Sequence, residues 1–308
     1  MESVNKSPDS HPGVGEDAHL ASLLRTPYTV AAPQRQLRPF VFSSPHSGRI
    51  YPQDFLSQAR LSATDLRRSE DAYVDELLAG VVTLGAPVIS ARFPRAYVDA
   101  NRAPTELDPS MFAGPLGLPY DASSPRVVAG LGVIPRLVRD GAEIYRGKLR
   151  PGEARDRIFR LHQPYHAELN KLAATTLASF QAAVVVDCHS MPSVGSAPDI
   201  VLGDRYGTAA THFLVRRAEQ TFSAMGFKVA RNVPYAGGFT TGVHGRPGKG
   251  FHAIQVEINR ALYLDEERVV PNAQFDTLAS RLLLAFSQIT AIDPALLKPP
   301  SALTMAAE

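Results

Sequence analysis

Ala183-Val184-Val185-Val186-Asp187-Cys188-His189-Ser190 is the stretch on which the reading of this chain turns. Four consecutive small or β-branched apolar residues read as a strand buried on both faces, and this strand ends in an acid and a histidine. In an open α/β sheet, ligands bind at the carboxyl ends of such strands. A second strand, Pro39 to Ser44, runs into Pro45-His46-Ser47-Gly48, and a third, Phe251 to Ile258, carries Glu257 in its apolar half. Because side chains alternate along a strand, His189 and Cys188 face opposite ways. If His189 looks into a site, Cys188 is a buried core residue rather than a nucleophile.

The rest of the chain supplies helices between these strands. A helical stretch capped at Ser62 or Thr64 runs to Leu84, with Leu77, Leu78, Val81 and Val82 as its apolar stripe. A strand follows near Pro87 to Phe93. A helical pattern over 152–181 is kinked near Pro164. Further strands are expected at 199–202 and 228–230, with helices over 208–225 and 272–289. Strands alternating with helices give an α/β protein with helices on both faces of a mixed sheet. The expected organisation is a loose tail over 1–25, a single domain over 26–293 and a frayed tail over 294–308. Residues 103–150, punctuated by Pro and Gly, read as an excursion beside the site. The Gly-rich segment 234–242 reads as a mobile substrate loop.

Composition narrows the function. The 308 residues are 44% hydrophobic and 20% charged, enough to bury a substantial core. The 32 Lys+Arg nearly balance the 30 Asp+Glu, and no basic run is interleaved with aromatics, so nucleic acid is excluded as a partner. One cysteine excludes an intrachain disulfide and a multi-cysteine zinc site. No apolar run spans a membrane and the amino terminus lacks a signal layout, so the expected location is cytoplasmic. Self-association is left open.

A hydrolytic metal centre needs three protein ligands, a carboxylate to manage protons and a cation to steady an oxyanion. His46 and His189 are the imidazole candidates. Glu70 and Asp71, at a helix start, are candidates for the third ligand, and by spacing alone an acid there serves the helix N-terminus equally well. Glu257, among Ile254, Val256 and Ile258, needs either a partner or a raised pKa suited to acid/base work. The arginines of 92–102 suit a bidentate grip on a substrate carboxylate.

Five motifs together resemble the N-formylglutamate amidohydrolase family: Ser-Pro-His-Ser-Gly-Arg at 44–49, Ser-Glu-Asp-Ala-Tyr-Val-Asp-Glu-Leu at 69–77, Phe-Pro-Arg-Ala-Tyr-Val-Asp-Ala-Asn-Arg at 93–102, Asp-Cys-His-Ser-Met-Pro-Ser at 187–193 and Gln-Val-Glu-Ile-Asn-Arg at 255–260. The likeness spans about residues 38 to 290. It implies a three-layer α/β/α, phosphorylase/hydrolase-like fold of the zinc carboxypeptidase and aspartoacylase kind. It further implies zinc-assisted hydrolysis of N-formyl-L-glutamate, with a small N-acyl amino acid as partner. His46, Arg95, Asn101, Arg102, His189 and Glu257 fall in the superfamily's chain order. The superfamily's first acid, three residues after the first His, is here Arg49, so the resemblance shifts the third ligand to Asp71 in preference to Glu70. In this scheme Glu257 moves the proton, Arg95 steadies the oxyanion, and Asn101 and Arg102 hold the α-carboxylate. Arg246, or His244 in its place, is expected to hold the second carboxylate.

Overall fold

The computed structural model describes residues 17–138 and 141–299. A seven-stranded sheet runs through it in the order β1-β3-β2-β4-β7-β5-β6. Its strands are β1 (Tyr28–Ala31), β2 (Phe40–Ser44), β3 (Val88–Ala91), β4 (Ala183–Met191), β5 (Ile200–Gly203), β6 (Val229–Arg231) and β7 (Phe251–Asn259). β2, β4 and β7 are parallel neighbours at its centre, while β1 joins β3 and β5 joins β7 antiparallel. The sheet is mixed and helices cover both faces, which makes the fold α/β.

Alternation along the central strands divides the core in two. Phe40, Phe42, Val184, Val186, Cys188, Ile254, Val256 and Ile258 pack on the helices His212–Ala224 and Phe275–Thr290. Val41, Val185 and Ala253 face the other way, onto Tyr165, Leu169 and Ala173 of the helix Gln163–Phe180. Cys188 is fully buried in the first cluster, as alternation requires. Asp187, His189, Gln255 and Glu257 share the second face near the strands' carboxyl ends. The register sets His189 opposite Glu257 and Ser43 opposite Asp187.

Several elements differ from the sequence expectation. Residues 17–25 are not loose: Asp17 Oδ1 accepts from the backbone N–H groups of His19 and Leu20 and caps the helix Ala18–Arg25, whose Leu23 is fully buried. A cap and a buried leucine contribute about 1 and about 2 kcal/mol; the polar residues around them hid the pattern. Residues 1–16 and 300–308 lie outside the described residues. Of the tail expected to fray, Pro294–Leu297 is a 3₁₀ turn whose Leu297 is buried, its carbonyl accepting from His252 Nε2 at 2.7 Å. Strand β1, on the sheet edge, carries only four residues, three of them exposed, and left no alternation to read. The helix expected from 62 to 84 is broken into Ala63–Arg67, Val74–Leu77 and a 3₁₀ turn Ala79–Leu84. Part of the Gly-rich segment is ordered into a short helix, Phe239–His244, with Thr240 and Thr241 buried. The 103–150 excursion packs on the second core through Leu107, Phe112, Val133, Ile134 and Ile144. Among the described residues no helix is long and apolar enough to cross a membrane.

Candidate metal centre

Three strands and one broken helix aim their ends at the same point. His46 follows β2, His189 lies near the end of β4, and Glu257 lies beside it on β7. The break between Ala63–Arg67 and Val74–Leu77 delivers Asp71. The backbone N–H of Asp71 donates to the His46 carbonyl at 3.0 Å, and Tyr73 takes a left-handed conformation (φ 63°) before the helix resumes. A continuous helix would have carried Asp71 past the site.

His46 Nδ1 and His189 Nδ1 lie 3.1 Å apart, and Asp71 Oδ2 is 3.2 Å from the first and 2.9 Å from the second. All three residues are buried. The opposite ring nitrogens face carboxylates: His46 Nε2 is 2.7 Å from Asp99 Oδ1 and His189 Nε2 is 2.9 Å from Asp187 Oδ2. If each Nε2–H donates to its carboxylate, both Nδ1 lone pairs turn toward Asp71, the arrangement by which carboxylates orient metal-binding imidazoles. Three acceptors so close repel unless a proton or a cation sits among them. Ligands at zinc distances in a tetrahedral set lie roughly 3.3 Å apart, so the donor set fits a small divalent ion. Burial works against a charged His189 ring, yet Asp187 and Asp71 overcome it and raise its pKa well above the ordinary value. Asp99 is depressed well below the carboxylate range: burial opposes this, but Arg95, His46 and Arg102 outweigh it.

Glu70 is turned elsewhere. Its carboxylate accepts from Tyr51 Oη at 2.6 Å and faces Arg67 Nε at 3.3 Å, which leaves Asp71 as the acid at the centre. Asp71 Oδ1 is fixed by Arg260 Nη2 at 3.0 Å and Ser190 Oγ at 3.3 Å. Arg49, three residues after His46, reaches away to Asp75 and Glu76.

Above these groups opens a cavity of about 470 Å³ lined by His46, His189, Glu257 and five arginines. Glu257 is 6% exposed and accepts a 2.7 Å hydrogen bond from Gln255 Nε2; no cation lies within ion-pair distance of it among the described residues. Burial, reinforced by Asp71 and opposed by His189, Arg95 and Arg260, pushes its pKa up to about 7. Arg95 Nε donates to Asp99 Oδ2 at 3.0 Å. Asn101 lies against His189, with Nδ2 3.2 Å from Nε2, while its Oδ1 accepts from the Thr240 backbone N–H at 2.9 Å. Arg102 is buried, donating to the carbonyls of Leu131 and Asn101 at 2.9 Å each.

Arg246 is a correction. It stacks over Phe251, 4.7 Å from the ring centroid, and its backbone N–H donates to the Phe251 carbonyl. Phe251 opens β7 and Glu257 nearly closes it, so at ~3.3 Å per residue Arg246 is about 20 Å from the centre. Nor does His244 line the cavity; it is buried in the short helix. The sequence reading passed over Asp99, Asp187, Gln255 and Arg260. Asp187 and Gln255 carried a signal, each lying two residues before a candidate on the same strand face. Asp99 acts from irregular chain and Arg260 from a 3₁₀ turn, where strand alternation gives no signal, although both lie inside the quoted motifs.

Paired buried imidazoles and a carboxylate at strand ends, beneath an arginine-lined cavity and beside a protonatable glutamate, have the make-up of a hydrolase centre whose donors could hold a metal ion. Comparison with known proteins gives the family. The model of the N-formylglutamate amidohydrolase family matches residues 38–264, and the chain belongs to that family. It is 27% identical over 237 residues to the N-formylglutamate deformylase of Pseudomonas putida, covering 74% of this chain and 82% of that one. With the Pseudomonas aeruginosa deformylase the identity is 29% over 243 residues, covering 74% and 83%. The crystal structure of N-formylglutamate amidohydrolase from Ralstonia eutropha JMP134 superposes with a TM-score of 0.81 at 36% identity, over 86% of this chain and 97% of that one.

Proposed function

We propose that the protein hydrolyses N-formyl-L-glutamate to L-glutamate and formate, using one divalent cation, expected to be zinc, held by His46 Nδ1, His189 Nδ1 and Asp71 Oδ2. The observation that carries this reading is the convergence of those donors within about 3 Å of one another at the floor of a cavity whose cationic groups are guanidinium. Bound there, a cation supplies Lewis-acid polarisation of the formyl oxygen and acidifies water.

This chain's own residues do the rest. Glu257, with a pKa near 7, takes a proton from the attacking water and passes it to the amine nitrogen as the C–N bond breaks. Gln255 holds that carboxylate by one oxygen and leaves the other for the water. Arg95 stays charged because Asp99 and Asp71 outweigh the effect of its burial, and it stabilises negative charge developing on the formyl oxygen. Asn101, fixed by the Thr240 N–H, and Arg102 hold the α-carboxylate. The cavity, about 470 Å³, takes a small acyl amino acid.

The test is formate release by purified protein from N-formyl-L-glutamate, with metal content measured on the same sample. The expected result is turnover that a chelator abolishes and one equivalent of divalent metal restores. Absence of formate release from metal-loaded protein would overturn the reading.

A further inference from the structure

The five arginines of the cavity are not equally committed. Arg260 commits four of its five N–H groups, to Ser190, to the carbonyls of Arg68 and Glu70, and to Asp71. Arg95 holds Asp99, and Arg102 holds two carbonyls. Arg68 lies 3.7 Å from Asp65. Arg126, exposed on the short helix Pro125–Val128 of the excursion, has no side-chain hydrogen bond or ion pair among the described residues. It also stands at a divide. A second, outer cavity of about 500 Å³ shares Asn101, Arg102, Arg126, Gly237 and Gly238 with the first. Burial lowers the pKa of Arg102, which stays charged; Asp99 and Glu106 oppose the shift, and the nearby guanidiniums of Arg95 and Arg126 add like-charge repulsion. Three guanidiniums gathered in this way favour an anion among them.

The two carboxylates of an N-formyl dicarboxylic amino acid lie at different reach from the scissile carbon. The α-carboxylate is close and falls to Asn101 and Arg102; the side-chain carboxylate extends two carbons farther, toward the shared rim. We propose that Arg126 receives this distal carboxylate and selects an acidic side chain over its neutral amide. The proposal rests on the formylglutamate reading above. It places substrate selection in the 103–150 excursion, apart from the strands that carry the chemistry.

The experiment compares N-formyl-L-glutamate with N-formyl-L-glutamine on the metal-loaded full chain, in wild type, R126Q, R126K and R68Q. R126Q is expected to raise KM for formylglutamate at least about tenfold, the loss of one charge-assisted contact, with kcat within about threefold. The preference for formylglutamate over formylglutamine should fall by a similar factor and recover in part in R126K. An unchanged preference in R126Q, or a collapse in R68Q instead, overturns the proposal. A wild type that releases no formate from formylglutamate would instead overturn the parent reading, and the two failures are distinct.

Discussion

Glu257 combines deep burial with a single hydrogen bond from a neutral amide, and this has two separable consequences. As the proton carrier it is essential: E257Q is expected to lower kcat by about 10² to 10⁴-fold with metal content intact, measured by formate release and metal analysis. As a buried acid it is destabilising. Its folded pKa of about 7 lies above the ordinary carboxylate value of 4.5, so the folded chain holds the proton more tightly than the unfolded one. Stability therefore falls as pH rises through the window from 4.5 to 7, and the whole penalty is present above it. E257Q should accordingly stabilise the chelated protein at pH 8, by on the order of 3 kcal/mol, with the gain shrinking towards pH 5. Thermal melts of both proteins across that range decide it; a constant difference would show that Glu257 does not titrate there. Asp99 and Asp187 have the opposite character, being ionised partners of the two rings. D99N and D187N should each weaken metal binding by about 10 to 100-fold, read by competition with a chromogenic chelator.

At the level of elements, what could be read from the sequence was whatever regular strands dictate. Alternation along β4 placed Cys188 in the core and His189 on the face shared with Glu257 of β7. Asp71 is different, because its position depends on a helix that stops and restarts around a left-handed Tyr73, and local propensity favoured continuing it. Arg246 shows the same limit from the other side: a Gly-rich run does not announce which end of a strand it will lie against. The kink expected near Pro164 is a π-helical turn, Ile158–His162, which brings His162 and His166 against residues 100–102. Their Nε2 atoms lie 2.9 and 2.7 Å from the carbonyls of Arg102 and Ala100, one on each side of Asn101. Gly238 also lies against Asn101, and a Cβ added there would come within 2.4 Å of the Asn101 amide. G238A should therefore displace Asn101, raising KM at least about tenfold, with the thermal midpoint lowered by no more than about 3 °C, the effect of about 1–2 kcal/mol of local strain. Unaltered KM would remove Asn101 from the substrate site.

Across the whole molecule, the site joins segments that the sheet and its two cores hold in register. His46 and His189 are 143 residues apart and meet through neighbouring strands, while Asp71 arrives from the irregular chain beside them. A cation there would cross-link all three, and it binds only the folded chain. Saturation at about a thousand times its dissociation constant stabilises by roughly 4 kcal/mol. A chain of this length should then lose several degrees of thermal midpoint on chelation, at about 2 °C or more per kcal/mol. D71N separates the ligand from the scaffold. It keeps the shape of the group but removes the charge that the buried Arg260 and both rings face, so its chelated form should melt below chelated wild type, while added zinc no longer raises the midpoint. If chelation shifts neither protein, or if zinc stabilises D71N as much as wild type, then His46, Asp71 and His189 are a proton-bridged structural cluster and the cation lies elsewhere.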